Sequence, residues 1–161
     1  LCDQHVRSKM QIEGAIMLAH AFDQEVLNHS DTPRTSTGKP RKSGKGYAKH
    51  QCSKWARESK DNFEWLVDHT LEMFTERMHR WPESKEHYTK TFIQWCKDNI
   101  DKTSIDKIPQ TPYVVAISEV SECRKVVKDF NKLPVIEQYK HYIKIDKTFA
   151  TWTKRNKPDW Y

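Results

Sequence analysis

Glycine is scarce, with four residues in 161. That is too few for the many tight turns of an all-β fold. Long apolar runs are missing too. The longest, residues 15–19 and 113–117, fall well short of the ~20 residues a membrane-spanning helix needs, so no membrane partner is expected. The opening LCDQHVRSKMQIEG lacks the basic leader and apolar stretch of a signal peptide. It also lacks an initiator Met, so the chain reads as processed, trimmed or incompletely represented. The four cysteines, Cys2, Cys52, Cys96 and Cys123, follow no disulfide-framework spacing. That pattern suits a reducing, cytoplasmic setting, which is the host cytoplasm if the protein is viral.

Aromatic residues are plentiful. They make up 11% of the chain and include six Trp, which argues against disorder. The length suits one domain that buries ~70% of its unfolded surface. Lys and Arg number 28 against 22 Asp and Glu, a net charge of +6 that favours anionic partners, nucleic acid first.

Apolar residues at three- and four-residue steps (Val6, Met10, Gly14, Met17, Leu18, Ala21) predict a helix from Asp3 to about His29. Residues 28–49 change character. This stretch holds three of the four glycines, two prolines and the cations Arg34, Lys39, Arg41, Lys42, Lys45 and Lys49 against the single acid Asp31. It reads as a flexible basic loop carrying most of the net charge. A helix capped by Ser53 is expected to run to about His79, with Trp55, Phe63, Leu66, Val67, Thr70, Phe74 and Met78 inward and Pro82 as its stop. Another spans about Ser84 to Ile100. YVVAIS (113–118) fits either a short strand or the start of a buried helix. Glu119 to Asn131 continues as helix, and Pro134 opens a last helix reaching Lys147. Residues 148–161 form a basic, aromatic tail. The expected fold is all-α: a compact single-domain helical bundle, residues 1–161, with one long basic glycine-rich loop.

Four patterns bear on function. GKPRKSGK (38–45) superficially suggests a P-loop, but five residues rather than four separate its glycines, and Gly rather than Ser or Thr follows its last Lys. Nucleotide binding there is excluded. Contact with a nucleic-acid backbone through Arg34, Lys39, Arg41, Lys42 and Lys45 fits the composition, as does a merely solvated loop. Second, Cys2, His5, His50 and Cys52 supply the ligand types of a tetrahedral zinc site, although the spacing matches no common finger or ribbon. The principal expectation is no cofactor, with zinc as the alternative. Third, His5, Lys9 and Glu13 step by four and so share one helix face, near Asp3 and His20. An imidazole, an amine and a carboxylate on one stripe suit acid–base or Schiff-base chemistry, and equally a solvated helix face. Fourth, cations alternate with aromatics from Tyr139 to Tyr161, with six Lys and Arg against two Asp from Gln138 onward. Aromatics that stack on bases while Lys140, Lys154 and Arg155 hold phosphates would bind nucleic acid. Packing of Tyr142, Phe149 and Trp152 into the core is the competing reading.

The stretch LCDQHVRSKMQIE resembles the first helix of phage-type pyrimidine-dimer DNA glycosylases of the endonuclease V type. NFEWLVDHTLEMFTER, IPQTPYVVAIS and YKHY follow in a similar order. The chain is also similar to uncharacterised phage proteins with a Cys-Asp-x-His start and a His-x-Cys-x-x-Trp segment, here His50 to Trp55. The glycosylase resemblance implies a compact all-α fold on duplex DNA, attack at the C1′ of a damaged nucleotide by an N-terminal amine, and strand cleavage through a Schiff base. It implies Glu13 as the stabilising carboxylate, His5 and Gln4 lining the site, and Tyr139, Lys140 and Tyr142 on DNA. Glu13 lies ten residues after Asp3 where the family has nine, a rotation of about 100° on a helix. The family's nucleophile lies ahead of the Asp-Gln-His helix, and Lys9 is the substitute amine. The reading is a DNA glycosylase or AP-lyase-like enzyme acting on a damaged or modified pyrimidine. The alternatives are a non-catalytic nucleic-acid-binding protein, with or without structural zinc, and a phage protein that binds a host protein.

Overall fold

A computed structural model describes every residue except Ser8 and Lys45. Among the described residues eight α-helices are seen: α1 (Asp3–Val6), α2 (Lys9–Ala19), α3 (Gln24–Asn28), α4 (Gln51–Ala56), α5 (Lys60–Arg80), α6 (Thr89–Asp98), α7 (Glu122–Val126) and α8 (Val135–Asp146). Single turns of 3₁₀ helix at Gly46–Lys49, Ile100–Lys102 and Phe130–Lys132 complete the regular structure. Among the described residues there is no strand, so the all-α expectation holds.

Helix α5 shows how sequence makes the frame. Ser59 caps it by accepting the Asn62 N–H at 3.0 Å. Asp61 sits in the first turn and Arg77, His79 and Arg80 in the last, each sign matched to the helix dipole. Pro82 follows its end. Phe63, Leu66, Val67, Thr70 and Phe74 face inward and are buried. They pack with Leu18, Phe22, Phe92 and Ile93 into the main core, formed chiefly by α2, α4, α5 and α6. Each such side chain stabilises the fold by ~1.5–3 kcal/mol. Helices α2 and α5 touch most closely at Gly14, where an added Cβ would stand 2.6 Å from Thr70 Oγ1. A second, smaller core of Ile117, Cys123 and Phe130 lies under α7 and α8, with Tyr139, Tyr142 and Ile145 against it.

Several boundaries differ from the sequence reading. The expected first helix does not run on to His29 as one element. Helix α2 stops at Ala19, where His20, Ala21 and Phe22 close turns back onto Met17, Leu18 and Ala19, and Asp23 then starts α3. Ser53 is no cap; it is buried inside α4, and its neighbour His50 accepts the Cys52 N–H instead. Helix α6 begins five residues later than expected. YVVAIS is neither strand nor helix but an unpaired extended segment, held where the Ala116 N–H donates to the Tyr139 hydroxyl at 2.9 Å. Buried Asn62 ties the preceding residues down. Its amide donates to Trp55 O and Thr111 Oγ1, and its carbonyl accepts from the Thr111 N–H.

Residues 29–44 contain no helix, yet they are tethered. Thr32 Oγ1 donates to Val26 O, Arg34 to the carbonyls of Asn28 and His29, and Gln24 both donates to Arg41 O and accepts the Ser43 N–H. The Gly44 N–H reaches His20 Nδ1. At the other end, residues 149–155 run across α1. Asp3 N–H donates to Thr151 O, and Gln4 donates to Phe149 O.

Candidate functional site

Helices α1 and α2 carry His5, Lys9 and Glu13 on successive turns. Lys9 Nζ lies 3.9 Å from Glu13 Oε1, the Lys exposed and the Glu side chain one-fifth exposed. His5 is half-buried, and its Nδ1 is 3.5 Å from the buried Cys2 Sγ. Burial, together with the nearby positive charges of Lys147 and Lys9, pushes the His5 imidazole down to about 4. It is therefore neutral at physiological pH and able to accept a proton. Glu13 faces the start of α4: burial raises the Cys52 thiol, and the Glu13 charge raises it further. Burial likewise raises the Tyr139 phenol, with Cys52 again among the groups acting on it. Cys52 thus lies within the field of Glu13, and Tyr139 within that of Cys52. The arrangement offers an amine and a carboxylate on one helix and a neutral imidazole on the helix before it.

The zinc expectation meets a different geometry. Cys2 and His5 are together, but His50 spends its Nδ1 on the N-cap of α4. Among the described residues no group of three or more His, Cys, Asp or Glu is placed to hold a metal, so the set Cys2, His5, His50 and Cys52 is not assembled.

The expected nucleic-acid contacts divide. Lys39, Lys42 and Lys154 are exposed. Lys140 pairs with Glu137 at 2.7 Å, and Tyr142 is half-buried with Lys147 Nζ 5.0 Å from its ring. Lys45 lies outside the described residues. Three of these side chains make contacts within the protein. Arg41 points into the protein, 8% exposed, with its guanidinium 4.1 Å from the Phe92 ring centre. Gln4 is engaged with Phe149 and Thr151. Arg155 makes a two-pronged ion pair with Glu76, at 2.8 and 2.6 Å. Arg34 is committed to the carbonyls that end α3, and the Tyr139 hydroxyl to Ala116.

Sequence reasoning passed over a charged network that joins both ends of the described chain. Asp3 accepts from Arg80, from the Thr151 and Thr153 hydroxyls and from the Thr153 N–H, while Glu76 bridges Arg80 and Arg155. Only the i, i+4 spacing of Glu76 and Arg80 was visible in advance. It also missed a surface aromatic group in which Trp65 stacks on His69 at 4.7 Å and meets Tyr113 at 5.1 Å. Its acidic neighbours Asp61, Glu64 and Asp68 on α5 make it a poor seat for a nucleic-acid backbone.

No family model, curated protein or solved structure matches the chain.

Proposed function

We propose that the protein is a DNA-binding enzyme of glycosylase or AP-lyase type, acting on a damaged or modified pyrimidine through the α1–α2 face. The observation that carries this reading is the Lys9–Glu13 pair at 3.9 Å, with neutral His5 on the preceding helix within the field of Lys9. In the unprotonated state the Lys9 amine attacks the C1′ aldehyde of an abasic sugar, and loss of water leaves a Schiff base. Glu13 stabilises the cationic Schiff base, and His5 takes the C2′ proton as the C3′–O bond breaks and the 3′-phosphate leaves. Exposed Lys39, Lys42 and Lys154 supply sequence-independent attraction to phosphates.

The test is borohydride trapping with duplex oligonucleotides that carry a cyclobutane pyrimidine dimer or an abasic site. A covalent adduct that maps to Lys9 supports the reading. Salt-sensitive binding without an adduct would favour the non-catalytic nucleic-acid-binding reading, and neither adduct nor binding would favour a protein partner.

A further inference from the structure

We propose that Arg41, set against the first turn of α6, anchors a binding site for a phosphoryl oxyanion.

The guanidinium is more than nine-tenths buried. Its Nε and Nη2 have no hydrogen-bond partner among the described residues, and no ion pair to a carboxylate is made. Removing a guanidinium from water is costly unless a counter-charge or a full set of acceptors replaces its hydration. The face of Phe92 at 4.1 Å offsets part of that cost, but a ring cannot accept the in-plane N–H groups. The titratable groups that act on Arg41 are the Cys96 thiol and the Tyr88 phenol, and His87 lies within its field. Burial keeps the Cys96 thiol protonated, so it is no counter-charge.

The placement is built rather than incidental. Gln24 grips the backbone just after the side chain, donating to Arg41 O at 2.9 Å and accepting the Ser43 N–H at 2.9 Å. The partner element is the start of α6, a ten-residue helix whose N-cap residue, Tyr88, makes no side-chain cap, while His87 Nδ1 accepts the Thr89 N–H at 3.3 Å. That end carries the positive pole of the helix dipole. Tyr88 is 45% exposed, so the place adjoins solvent. Lys39 and Lys42, both exposed, flank Arg41 in the chain and add positive field. A planar fork with unpaired donors, a helix N-terminus and two lysines match a tetrahedral, multiply charged oxyanion better than a single carboxylate. The site is separate from Lys9 and Glu13, so it stands or falls apart from the proposed chemistry there.

The experiment uses the intact chain. Its thermal midpoint is followed as inorganic phosphate replaces chloride at constant ionic strength, and the Arg41 Nε–H resonance is titrated in parallel by ¹H–¹⁵N NMR. The midpoint is expected to rise progressively with phosphate, as linkage to a native-state ligand requires, and the Nε–H signal to shift saturably. Arg41→Met should lose the phosphate-dependent rise. If that variant fails to fold, the wild-type Nε–H titration decides alone. Equal responses to phosphate and chloride in the wild type would overturn the proposal. Short single-stranded oligonucleotides, with and without a 5′-phosphate, separate the sources. Shifts with both assign the oxyanion to a nucleic-acid backbone. A shift with the phosphorylated strand alone assigns it to a terminal phosphate, and a shift with inorganic phosphate alone to a small free phosphate.

Discussion

Arg80 Nη1 stands 2.7 Å from Asp3 Oδ1, and the two side chains are only 4% and 10% exposed. The last turn of the longest helix thus holds the first helix by a charge pair almost out of water. Burial alone would raise the Asp3 carboxyl, but hydrogen bonds from Arg80, Thr153 and Thr151 outweigh it and hold it below its ordinary value. Breaking one partner of such a pair leaves a buried charge unmatched. Arg80→Met should therefore cost about 3–5 kcal/mol in urea unfolding. The double change Arg80→Met with Asp3→Asn should cost less than the two single changes summed, because neither charge is then stranded.

The same network makes stability depend on acid. Hydrogen bonds from Arg155, joined by Arg80, hold Glu76 at about 2 against an ordinary 4.5. A depressed carboxylate contributes in full above its unfolded value and loses that contribution as pH falls through the folded one. Glu76 should thus weaken the fold between pH 4.5 and 2. His5 acts higher. Its folded value near 4 lies below the ordinary 6.5, so the unfolded chain takes up the proton first. Stability should decline from pH 6.5 toward 4, and His5→Gln should flatten that limb of a urea-midpoint profile while Glu76→Gln flattens the lower one. An unchanged profile in both variants would refute the assignments.

Gly14 is required by contact rather than by backbone angle. A Cβ there would meet Thr70 Oγ1 at 2.6 Å and Cγ2 at 3.2 Å, and that hydroxyl is itself bonded to Leu66 O. Gly14→Ala should destabilise by about 1–3 kcal/mol through overpacking, despite Ala's better helix propensity. Adding Thr70→Ala, which removes both clashing atoms, should restore much of the midpoint. If Gly14→Ala alone raises it, α2 and α5 are not in contact as described.

Glu13→Gln keeps the shape and removes the charge. If Glu13 stabilises a cationic sugar, single-turnover cleavage of a damaged duplex should fall by about 10²-fold or more, with DNA affinity within a few-fold. Full activity in this variant would take Glu13 out of the chemistry.

The exposed cations should register in the salt dependence of DNA binding. Each lysine that contacts a phosphate adds about 0.9 to the slope of log K against log salt. Lys39→Ala with Lys42→Ala should lower that slope by roughly 2 if both reach the backbone. No change would leave Lys39 and Lys42 without a role on DNA.

Much of the frame could be read from residue order. The inward stripe of α5, its end before Pro82 and the run of α8 all follow from local periodicity and proline. What stayed hidden was set by distant partners. Asn62 looks like an ordinary polar residue until Thr111 and Trp55 surround it, and Ser59 is chosen over Ser53 as cap only because α4 turns away first. Arg41 sits in a run of cations that reads as solvated; its side chain turns inward because Phe92 offers a ring face and Gln24 holds the backbone. At the candidate site, the Lys9–Glu13 pair was legible from its i, i+4 spacing. The fields linking Glu13 to Cys52 and Cys52 to Tyr139 were not, since they depend on residues far apart in the chain.

The contacts of Asp3 with Thr151 and Thr153 also govern the order of assembly. They join residues 148 and 150 positions apart, a closure that costs about 4 kcal/mol in chain entropy before any contact repays it. Local helix pairs such as α5 with α6 carry no such delay. During synthesis the Asp3 carboxylate must wait for nearly all the described chain before its last donors arrive. The crossing of residues 149–155 over α1 is thus expected to form last and to open first, and amide exchange at Asp3 and Thr153 should run ahead of that in α5.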